Sequence, residues 1–578
     1  MDEQHRRLRR IEARREAIRR TQPVWEERTT AANLRQVAAR HPERPFLITD
    51  AGSWTYGEMQ AWIARLGRGF MAAGVGRGDH VALLMANHAE LVAVRFALSA
   101  IGAVSVPINT GLKSEELGYL LKQSDSKFLV VMDRFRDRDF LAMLDETAPG
   151  WEDGASAALP ELKAVLTYSP EGHAPRIGVT SLAMLADRGE ALPLMQFEQR
   201  MASVDPHDLV DIVYTSGTTG LPKGVMLTHD NVLRCSFTAC LARAIEDGRR
   251  MLFSLPLYHN YAYVEGMLAL IWAGGTMIMQ DRFDPEQTMA AIETWRANEV
   301  LLVPTMTIAM IEHPRRDAYD FSSLTAVMSA AAAAPAALAA GICRIFGVDE
   351  ITTAYGQTEC SSSAAYKRPE DPIAALVTTV GRLKPRSVAG APELDGRVAA
   401  YRIADPETGE IMPEGGEGEL IVRGPEVMRG YYNKPEETAA VFRDDGWMRT
   451  GDLGRFTADG FIALTGRSKE LYKCGAELVA PKEVEDLLTR HDAVSQAYVI
   501  GVPDPRMGEV GCAIIVPAPD AVFDETALRD YCRERLARYK VPQYVLAMRA
   551  EDLPMTATGK VQKFRLASLV QERFEKAI

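Results

Sequence analysis

The chain has 578 residues, too many for a single hydrophobic core, and roughly three or four folding units are expected. Hydrophobic residues make up 47% and charged residues 25%, which is the composition of an ordinary soluble globular protein. The formal net charge of −12 disfavours a nucleic-acid partner, because a phosphate backbone favours basic surfaces.

The first 20 residues contain eight arginines and four acidic residues, which predicts a solvated helix with charge pairs one turn apart. A contact with an anionic surface is the alternative. This stretch lacks the apolar core of a signal peptide, and no apolar window reaches the length of a membrane span. Seven scattered cysteines without Cys-x-x-Cys spacing indicate reduced thiols, so we expect a cytoplasmic protein.

Up to about residue 350, apolar runs typical of strands alternate with helical patterns such as 56–73 and 285–297. Continuous apolar strands between helices predict parallel sheets that are covered on both faces. The predicted fold class is α/β, with two parallel-rich sheets in a large amino-terminal domain. The candidate strands are His80–Met85, Lys127–Met132, Leu162–Tyr168, Leu209–Tyr214, Met251–Leu257, Gly275–Gln280, Val300–Pro304 and Leu324–Ser329.

A glycine-rich stretch at 214–224 reads Tyr-Thr-Ser-Gly-Thr-Thr-Gly-Leu-Pro-Lys-Gly and directly follows the apolar run 209–213. Glycines let a backbone approach a ligand closely, consecutive amides form an anion-binding concavity, and Lys223 adds a mobile positive charge. The G-x-x-x-x-G-K-[ST] spacing of the common phosphate loop is absent. The stretch is therefore either a polyphosphate-binding loop of another kind or a polar surface loop.

From about residue 380 to 465 the chain changes to short strands, turns and many glycines, which predicts a β-rich subdomain. Beyond Arg467 we expect a small α+β piece with helices at 481–490 and 525–539, strands at 496–502 and 511–516, and a polar tail. The polar segment 468–470 separates the two parts. The predicted domains are 1–468 and 469–578.

Four further motifs follow the glycine-rich stretch in order. They are Tyr-Gly-Gln-Thr-Glu at 355–359, Thr-Gly-Asp at 450–452, Gly-Arg-Ser-Lys-Glu at 466–470 and Pro-Met-Thr-Ala-Thr-Gly-Lys at 554–560. With Gly-Tyr-Tyr-Asn-Lys-Pro-Glu at 430–436 and Gly446-Trp447, this set closely resembles the adenylate-forming superfamily of acyl-CoA synthetases, adenylation domains and luciferases. The resemblance extends over nearly the whole chain and is closest to the acyl-CoA ligases.

The resemblance implies two half-reactions. A carboxylate attacks the α-phosphorus of Mg·ATP to give acyl-AMP and pyrophosphate, and a thiol then displaces AMP. The implied cofactors and co-substrates are ATP, Mg²⁺ and CoA, with the phosphopantetheine arm of a carrier protein in trans as the alternative to CoA. No nucleic acid and no integral membrane segment are implied, and a homodimer is among the expected states.

The resemblance also assigns roles to the residues of the motifs. Thr215, Ser216, Gly217, Thr218, Thr219, Gly220 and Lys223 would hold the β- and γ-phosphates. Tyr355 would stack on the adenine, and Gly356 and Gln357 would belong to the same ATP/AMP site. Thr358 would contact the α-phosphate and Glu359 Mg²⁺, while Asp452 and Arg467 would bind the ribose. Lys560 would be the main catalytic residue, because its ammonium can bridge the incoming carboxylate and the α-phosphate as charge builds up.

Simpler structural interpretations exist for three of these residues. Asp452 could be a turn residue, Glu359 a helix cap and Lys560 a surface lysine in a hairpin turn. Lys540 and Lys563 are expected to be surface charges.

The family also moves its carboxy-terminal domain between the half-reactions, which implies a mobile domain 469–578 with its hinge at Lys469. Rotation would withdraw Lys560 and bring the segment 473–477 to the thiol. Gly475, at the centre of that segment, suits a backbone that is approached closely or changes conformation.

The acyl pocket is expected around His259, Asn260, Ser329 and Ala334. His259 occupies the position of a histidine that gates the pocket and orients the carboxylate, and a hydrogen-bonded histidine at a strand end is the alternative. His259-Asn260-Tyr261 is similar to a segment of aryl-acid adenylating enzymes, so an aryl acid is one candidate substrate. The sequence departs from the family at the alanine run 330–334 and at the added segment 386–398, which we expect at the surface.

An ATP-dependent acyl-CoA ligase is the leading functional interpretation. The alternatives are an adenylation enzyme that loads a carrier protein, a non-catalytic nucleotide sensor and a luciferase-type monooxygenase. The sensor is disfavoured because Glu359, Asp452, Arg467 and Lys560 are all present, whereas a decayed site should have lost at least one of them. The motifs do not identify the acid.

Overall fold

The computed structural model describes residues 3–153, 156–215, 221–330, 336–467, 470–474, 477–504, 507–519, 521–555 and 561–575. By its internal contacts the chain divides into two compact units. The larger unit comprises residues 1–376, 383–400 and 423–440, and the smaller unit comprises residues 377–382, 401–422 and 441–578. This division places most of the predicted β-rich subdomain with the carboxy-terminal residues, while the domain boundary after residue 468 stays a prediction.

The helices follow the predicted alternation with strands. They are α1 (Glu3–Thr21), α2 (Thr30–Arg40), α3 (Tyr56–Ala72), α4 (Ala89–Ile101), α5 (Ser114–Gln123), α6 (Phe140–Thr147), α7 (Leu182–Gly189), α8 (Leu194–Ala202), α9 (His229–Arg243), α10 (Ala269–Trp272), α11 (Pro285–Trp295), α12 (Pro304–Glu312), α13 (Ala336–Phe346), α14 (Ala375–Thr378), α15 (Pro435–Val441), α16 (Pro481–Leu488), α17 (Glu525–Arg533) and α18 (Lys563–Glu575). A π-helix spans Tyr261–Leu268, and 3₁₀ turns span Trp151–Asp153, Arg316–Ala318, Thr358–Cys360, Pro392–Leu394, Arg538–Lys540 and Ala550–Asp552. Within the described ranges, no helix is both long enough and apolar enough to cross a membrane.

The strands form two large sheets and the two-stranded ribbon β6-β7 in the larger unit, and two small sheets in the smaller unit. They are β1 (Pro45–Thr49), β2 (Gly52–Thr55), β3 (His80–Leu84), β4 (Val104–Pro107), β5 (Phe128–Met132), β6 (Arg134–Phe135), β7 (Arg138–Asp139), β8 (Ala164–Tyr168), β9 (Thr180–Ser181), β10 (Leu209–Thr215), β11 (Lys223–Thr228), β12 (Arg250–Phe253), β13 (Thr276–Met279), β14 (Glu299–Leu302), β15 (Ala326–Ser329), β16 (Glu350–Gly356), β17 (Ser363–Lys367), β18 (Arg382–Leu383), β19 (Ala400–Ala404), β20 (Gly418–Arg423), β21 (Met448–Phe456), β22 (Ile462–Arg467), β23 (Tyr472–Cys474), β24 (Glu477–Val479), β25 (Val494–Asp504), β26 (Gly508–Pro517) and β27 (Tyr544–Ala547).

The sheet order confirms the α/β prediction. One sheet has nine strands in the order β18-β17-β16-β15-β14-β12-β13-β1-β2, and the other has seven in the order β11-β10-β4-β3-β5-β8-β9. The strands from β12 to β16 run parallel to one another, as do β3, β4, β5 and β8. In the smaller unit, β19 to β22 form a four-stranded sheet, and β23 to β27 form a five-stranded sheet.

Each of the eight predicted strands corresponds to an observed one, and the errors lie at their ends. The prediction 300–304 runs too far because Pro304 begins α12, at the helix position where its missing N–H costs nothing. The predicted strand 251–257 is also too long, since β12 ends at Phe253. In the smaller unit the helix predicted at 525–539 ends at Arg533, and the predicted polar tail contains α18.

The arginine-rich helix α1 has the predicted charge pairs one turn apart and a largely exposed face, but its other face packs against the rest of the larger unit. Ile11 and Ile18 of α1 are buried in this contact. The Arg15 guanidinium lies 2.6 Å from Glu370 Oε2 and donates to the Leu241 carbonyl at 2.8 Å, and Arg14 pairs with Glu350 at 2.6 Å. Arginines with long apolar stems can cover such a surface while their charges reach buried acceptors.

Candidate active site

The expected acyl, adenine and metal residues of the larger unit lie at one edge of the nine-stranded sheet. The carboxyl ends of neighbouring parallel strands share an edge, where open α/β sheets bind their ligands. Ser329, the last residue of β15, faces Leu302 at the end of β14, and Tyr355 and Gly356 end β16. The segment with His259 and Asn260 follows the end of β12. The candidate acyl, adenine and metal residues are therefore neighbours.

The glycine-rich stretch connects the two strands of an antiparallel hairpin. Thr215 ends β10 and Lys223 begins β11, and the two residues are directly opposite each other. The Thr215 hydroxyl donates to the Lys223 carbonyl at 3.5 Å. Residues 216–220, which include Ser216, Gly217, Thr218, Thr219 and Gly220, lie outside the described residues. Their assignment to the phosphates stays a prediction.

Tyr431 connects Lys223 with Glu359. The Lys223 ammonium lies 4.2 Å from the centroid of the Tyr431 ring, and the Tyr431 hydroxyl donates to Glu359 Oε1 at 2.8 Å. Burial, together with the neighbouring Glu359, raises the pKa of Tyr431, so the hydroxyl stays a neutral donor. Lys223, predicted for the phosphates, and Glu359, predicted for the metal, therefore both contact the side chain of Tyr431. Sequence reasoning missed this residue, although it lies in the conspicuous segment 430–436.

Glu359 belongs to a tight turn that the surrounding backbone fixes. It lies in the 3₁₀ turn Thr358–Cys360, and its carbonyl accepts from the Met428 amide at 2.8 Å. Gly356 precedes the turn, where an added Cβ would lie 2.0 Å from the Ser362 carbonyl oxygen. Only glycine fits such a close approach. The carboxylate of Glu359 is thus presented from a defined backbone.

Tyr355 and Gln357, both predicted for the nucleotide site, lie at the end of β16 and directly before the 3₁₀ turn. Tyr355 lies in β16 opposite Ala365 and is largely buried. Gln357 Nε2 is buried and has no hydrogen-bond partner among the described residues, so an acceptor on a ligand would satisfy it. A nucleotide base or phosphate supplies such acceptors.

Asn260 and Tyr261 donate their side-chain hydrogen bonds to the backbone of this edge. Asn260 Nδ2 donates to the Ser361 carbonyl at 2.5 Å, two residues after Glu359. The Tyr261 hydroxyl donates to the Leu302 and Met328 carbonyls at 3.0 and 3.3 Å and so joins β14 to β15. Both groups therefore have a structural use, and the aryl-acid role of this segment stays a prediction.

The hydrogen bond from Asn260 to the Ser361 carbonyl predicts the effect of Asn260→Ala. A buried acceptor left without its donor costs about 1–3 kcal/mol, and here the acceptor belongs to the turn of Glu359. We expect the KM for Mg·ATP to rise more than the KM for the acid in steady-state assays. Tyr261→Phe is the control, because it alters the same segment without touching the turn. A rise confined to the KM for the acid would instead assign Asn260 to acid recognition.

The segment before His259 is held by buried polar side chains. The Leu257 amide donates to Asn87 Oδ1 at 2.9 Å, and the Leu257 carbonyl accepts from Arg95 at 2.6 Å. Arg95 also pairs with the fully buried Asp211 at 2.6 Å. The His259 ring lies 4.8 Å from the Tyr258 ring. His259 thus projects from a rigid base, as a residue that orients a substrate requires.

Two further acyl-pocket residues were predicted on the alanine-rich loop. Ser329 is fully buried, and its hydroxyl lies 3.2 Å from that of Thr307. Ala334 lies outside the described residues.

In the smaller unit, the two candidate ribose residues form an ion pair across a hairpin. Asp452 of β21 is opposite Arg467 of β22, and Arg467 Nε lies 2.8 Å from Asp452 Oδ1. The Asp452 side chain is 5% exposed and that of Arg467 is 48% exposed. Gly451, before Asp452, has φ of 76°, which favours glycine. This geometry fixes one carboxylate oxygen and leaves the guanidinium at the surface.

Three predicted residues of the smaller unit, Lys469, Gly475 and Lys560, lie outside the described residues. Lys563, expected at the surface, instead has Nζ 2.7 Å from both Glu470 Oε2 and Glu485 Oε1, with its side chain 19% exposed. Burial alone would lower the pKa of Lys563, but the two carboxylates raise it. Lys563 therefore helps to hold residue 470, next to the predicted hinge.

The described part of the chain contains no group of three or more His, Cys, Asp or Glu side chains that could hold a metal ion by itself. A single carboxylate such as that of Glu359 suits Mg²⁺ when substrate phosphates supply other oxygen ligands. The site therefore fits a metal that arrives with a nucleotide.

Comparison with known proteins shows which family the chain resembles over nearly its whole length. The AMP-binding enzyme family matches residues 34–432, and the AMP-binding enzyme C-terminal domain matches residues 483–560. A 3-[(3aS,4S,7aS)-7a-methyl-1,5-dioxo-octahydro-1H-inden-4-yl]propanoyl:CoA ligase of Mycobacterium tuberculosis is 34% identical over 94% of this chain and 99% of its own. ATP-bound MatB from Rhodopseudomonas palustris is 28% identical with a TM-score of 0.78, over 93% of this chain and 98% of its own. The anthranilate CoA ligase AuaEII with anthranoyl-AMP is 25% identical with a TM-score of 0.81, over 96% and 99%.

Proposed function

The chain belongs to the AMP-binding enzyme family and is an AMP-forming acid–thiol ligase, and we propose how its residues divide the reaction. The carboxylate of the acid attacks the α-phosphorus of ATP, pyrophosphate leaves, and the thiol of CoA then displaces AMP from the acyl-AMP. The observation that carries this assignment is the contact of Tyr431 with both Lys223 and Glu359. It joins the phosphate loop to the metal carboxylate.

Lys223 and the hydroxyls of the loop from Thr215 to Thr219 bind the leaving pyrophosphate in this proposal. Charge-assisted hydrogen bonds of this kind are stronger than neutral ones, and they stabilise the negative charge that develops on the departing pyrophosphate. Glu359 holds Mg²⁺, with one carboxylate oxygen oriented by the Tyr431 hydroxyl. When bound, the metal neutralises part of the phosphate charge. Thr358 contacts the α-phosphate, and His259 orients the incoming carboxylate.

Asp452 binds the ribose hydroxyls, and the guanidinium of Arg467 orients the Asp452 carboxylate. For Asp452→Asn we expect the KM for ATP to rise by about 10–100-fold, the size of a lost hydrogen bond to a charged group. The KM for 2′-deoxy-ATP should rise much less, because that nucleotide lacks one of the two hydroxyls. Asp459→Asn is the matched control, since Asp459 is exposed in the turn of the same hairpin. Equal losses with both nucleotides would make Asp452 a turn residue.

The acid is proposed to have an apolar body attached to its carboxylate. The support is the chemistry named for two relatives, a bicyclic propanoyl group and anthranilate. Acid-dependent release of pyrophosphate, measured across aliphatic, aryl and polycyclic acids, tests this class. Release only with small dicarboxylic acids would contradict it.

CoA is proposed as the acceptor, with the domain 469–578 rotating about Lys469 and presenting Gly475 to the thiol. A carrier-protein arm remains the alternative acceptor. Comparing the rate of AMP release with CoA and with a phosphopantetheinylated carrier distinguishes the two, and a faster rate with the carrier would overturn the CoA assignment.

A further inference from the structure

Four ionisable side chains form a buried group in the larger unit, and none of them has a role in the proposed reaction. Lys384 lies at its centre, with Nζ 3.1 Å from Glu426 Oε2 and 3.0 Å from Cys235 Sγ. Glu265 completes the group, with Oε1 4.0 Å from Cys235 Sγ. All four residues are at most 2% exposed. We refer to Cys235, Glu265, Lys384 and Glu426 as the buried ion cluster.

Stability alone does not explain this cluster. Removing charges from water is costly, and well-packed apolar side chains often replace a buried ion pair without loss of stability. Two buried carboxylate oxygens of the cluster, Glu265 Oε2 and Glu426 Oε1, have no hydrogen-bond partner among the described residues. The cluster therefore points to a use that depends on its geometry.

All four members of the cluster contact residues 361–364, a segment that begins two residues after Glu359. Cys235 and Glu265 do so through their side chains, and Lys384 and Glu426 through their backbone. The contacts are Ser361 Oγ to the Glu426 carbonyl at 2.7 Å, the Ser363 amide to Glu265 Oε1 at 3.1 Å, Cys235 Sγ to the Ser363 carbonyl at 3.6 Å, and the Lys384 amide to the Ala364 carbonyl at 3.2 Å. These bonds connect α9, the π-helix and two distant loops to one short segment. The segment that follows Glu359 is thus held from several directions.

The backbone of this segment needs such support. Ser361 has φ of 61°, in the left-handed region that non-glycine residues rarely adopt. A residue keeps such a conformation only where its surroundings fix it. Ser361 is fully buried, and besides Glu426 it is held by Asn260. Loosening these contacts would let the turn of Glu359 relax.

We propose that the buried ion cluster is a positioning device that fixes the turn of Glu359 and thereby sets the affinity of the enzyme for Mg·ATP. Its members are positioning residues, because they act through Glu359 and touch no reacting atom. This inference rests on the proposed metal-binding role of Glu359. Partners of this kind typically change metal affinity by about 10–100-fold when they are removed.

The test uses a double variant, Lys384→Met/Glu426→Gln, which removes the two directly paired charges together, because removing one alone would leave its partner buried and unpaired. Burial raises the pKa of the Glu426 carboxyl to about 7, although the Lys384 ammonium lowers it. The neutral amide of glutamine is therefore a close substitute for this carboxyl. The matched control is Arg15→Met/Glu370→Gln, which removes another buried pair of the same unit at 2.6 Å. Glu359→Gln serves as the reference for loss of the metal carboxylate.

The readouts are the Mg²⁺ concentration for half-maximal pyrophosphate exchange and the KM for the acid. We expect the cluster variant to raise the Mg²⁺ requirement about tenfold or more, with little change in the KM for the acid and no shift in the control. If Glu359→Gln raises the Mg²⁺ requirement but the cluster variant does not, the positioning role of the cluster is wrong while the proposed metal site stands. If Glu359→Gln itself leaves the requirement unchanged, the proposed metal site is wrong as well.

Discussion

Replacing Lys560 with alanine is expected to reduce acyl-AMP formation by about 10²–10³-fold, the usual effect of losing one preorganised donor at a site of developing charge. The ammonium would bridge two anions, the incoming carboxylate and the α-phosphate, which otherwise repel each other. Acid-dependent exchange of pyrophosphate into ATP measures this step. Thioester formation from supplied acyl-AMP should be largely spared, because the carboxy-terminal domain then presents another surface.

Lys540→Ala is the control for this variant. Lys540 is a lysine of the smaller unit whose Nζ pairs with Glu483 at 2.7 Å, and partly exposed pairs of this kind contribute little. Both half-reactions should therefore survive in the control. If Lys560→Ala slowed the two half-reactions equally, the lysine would not be specific to adenylation, and the proposed alternation of the domain would lose its main support.

Glu359→Gln is expected to raise the Mg²⁺ concentration for half-maximal pyrophosphate exchange by about tenfold or more, since a neutral amide is a poor ligand for a hard cation. The amide oxygen can still accept from the Tyr431 hydroxyl, so the turn should keep its shape. The measurement is a Mg²⁺ titration at fixed total ATP. Saturating Mg²⁺ should restore part of the rate.

Tyr431→Phe tests the orientation of the Glu359 carboxylate while keeping its charge. The variant keeps an aromatic ring beside Lys223 but removes the hydroxyl that donates to Glu359. We expect a smaller shift of the Mg²⁺ titration than in Glu359→Gln. A Glu359→Gln titration that matches the wild type would favour the helix-capping interpretation of Glu359.

Local patterns predicted eight of the sixteen strands in the two large sheets. A buried parallel strand such as β5 is a continuous apolar run, so it stands out in the sequence. The strand β16, which carries Tyr355, was not predicted. Its buried face includes Glu350 and Thr352, and polar residues interrupt the apolar run on which the prediction depends.

The site was predictable only as an ordered set of motifs. The contact of Tyr431 with Glu359 joins residues 72 positions apart, and that of Asn260 with Ser361 joins residues 101 apart. No local spacing encodes such pairs, because the sheet topology brings them together. The buried ion cluster could not be predicted from the sequence for the same reason, since Lys384 and Cys235 are 149 positions apart.

Oxygen tracing tests most directly which phosphorus of ATP the acid attacks. An acid found by the pyrophosphate screen is labelled with ¹⁸O in its carboxylate and turned over with ATP and CoA, and the phosphorus products are examined by mass spectrometry. Attack at the α-phosphorus transfers one labelled oxygen to AMP and leaves pyrophosphate unlabelled. Label in inorganic phosphate, accompanied by ADP, would contradict an acyl-AMP intermediate.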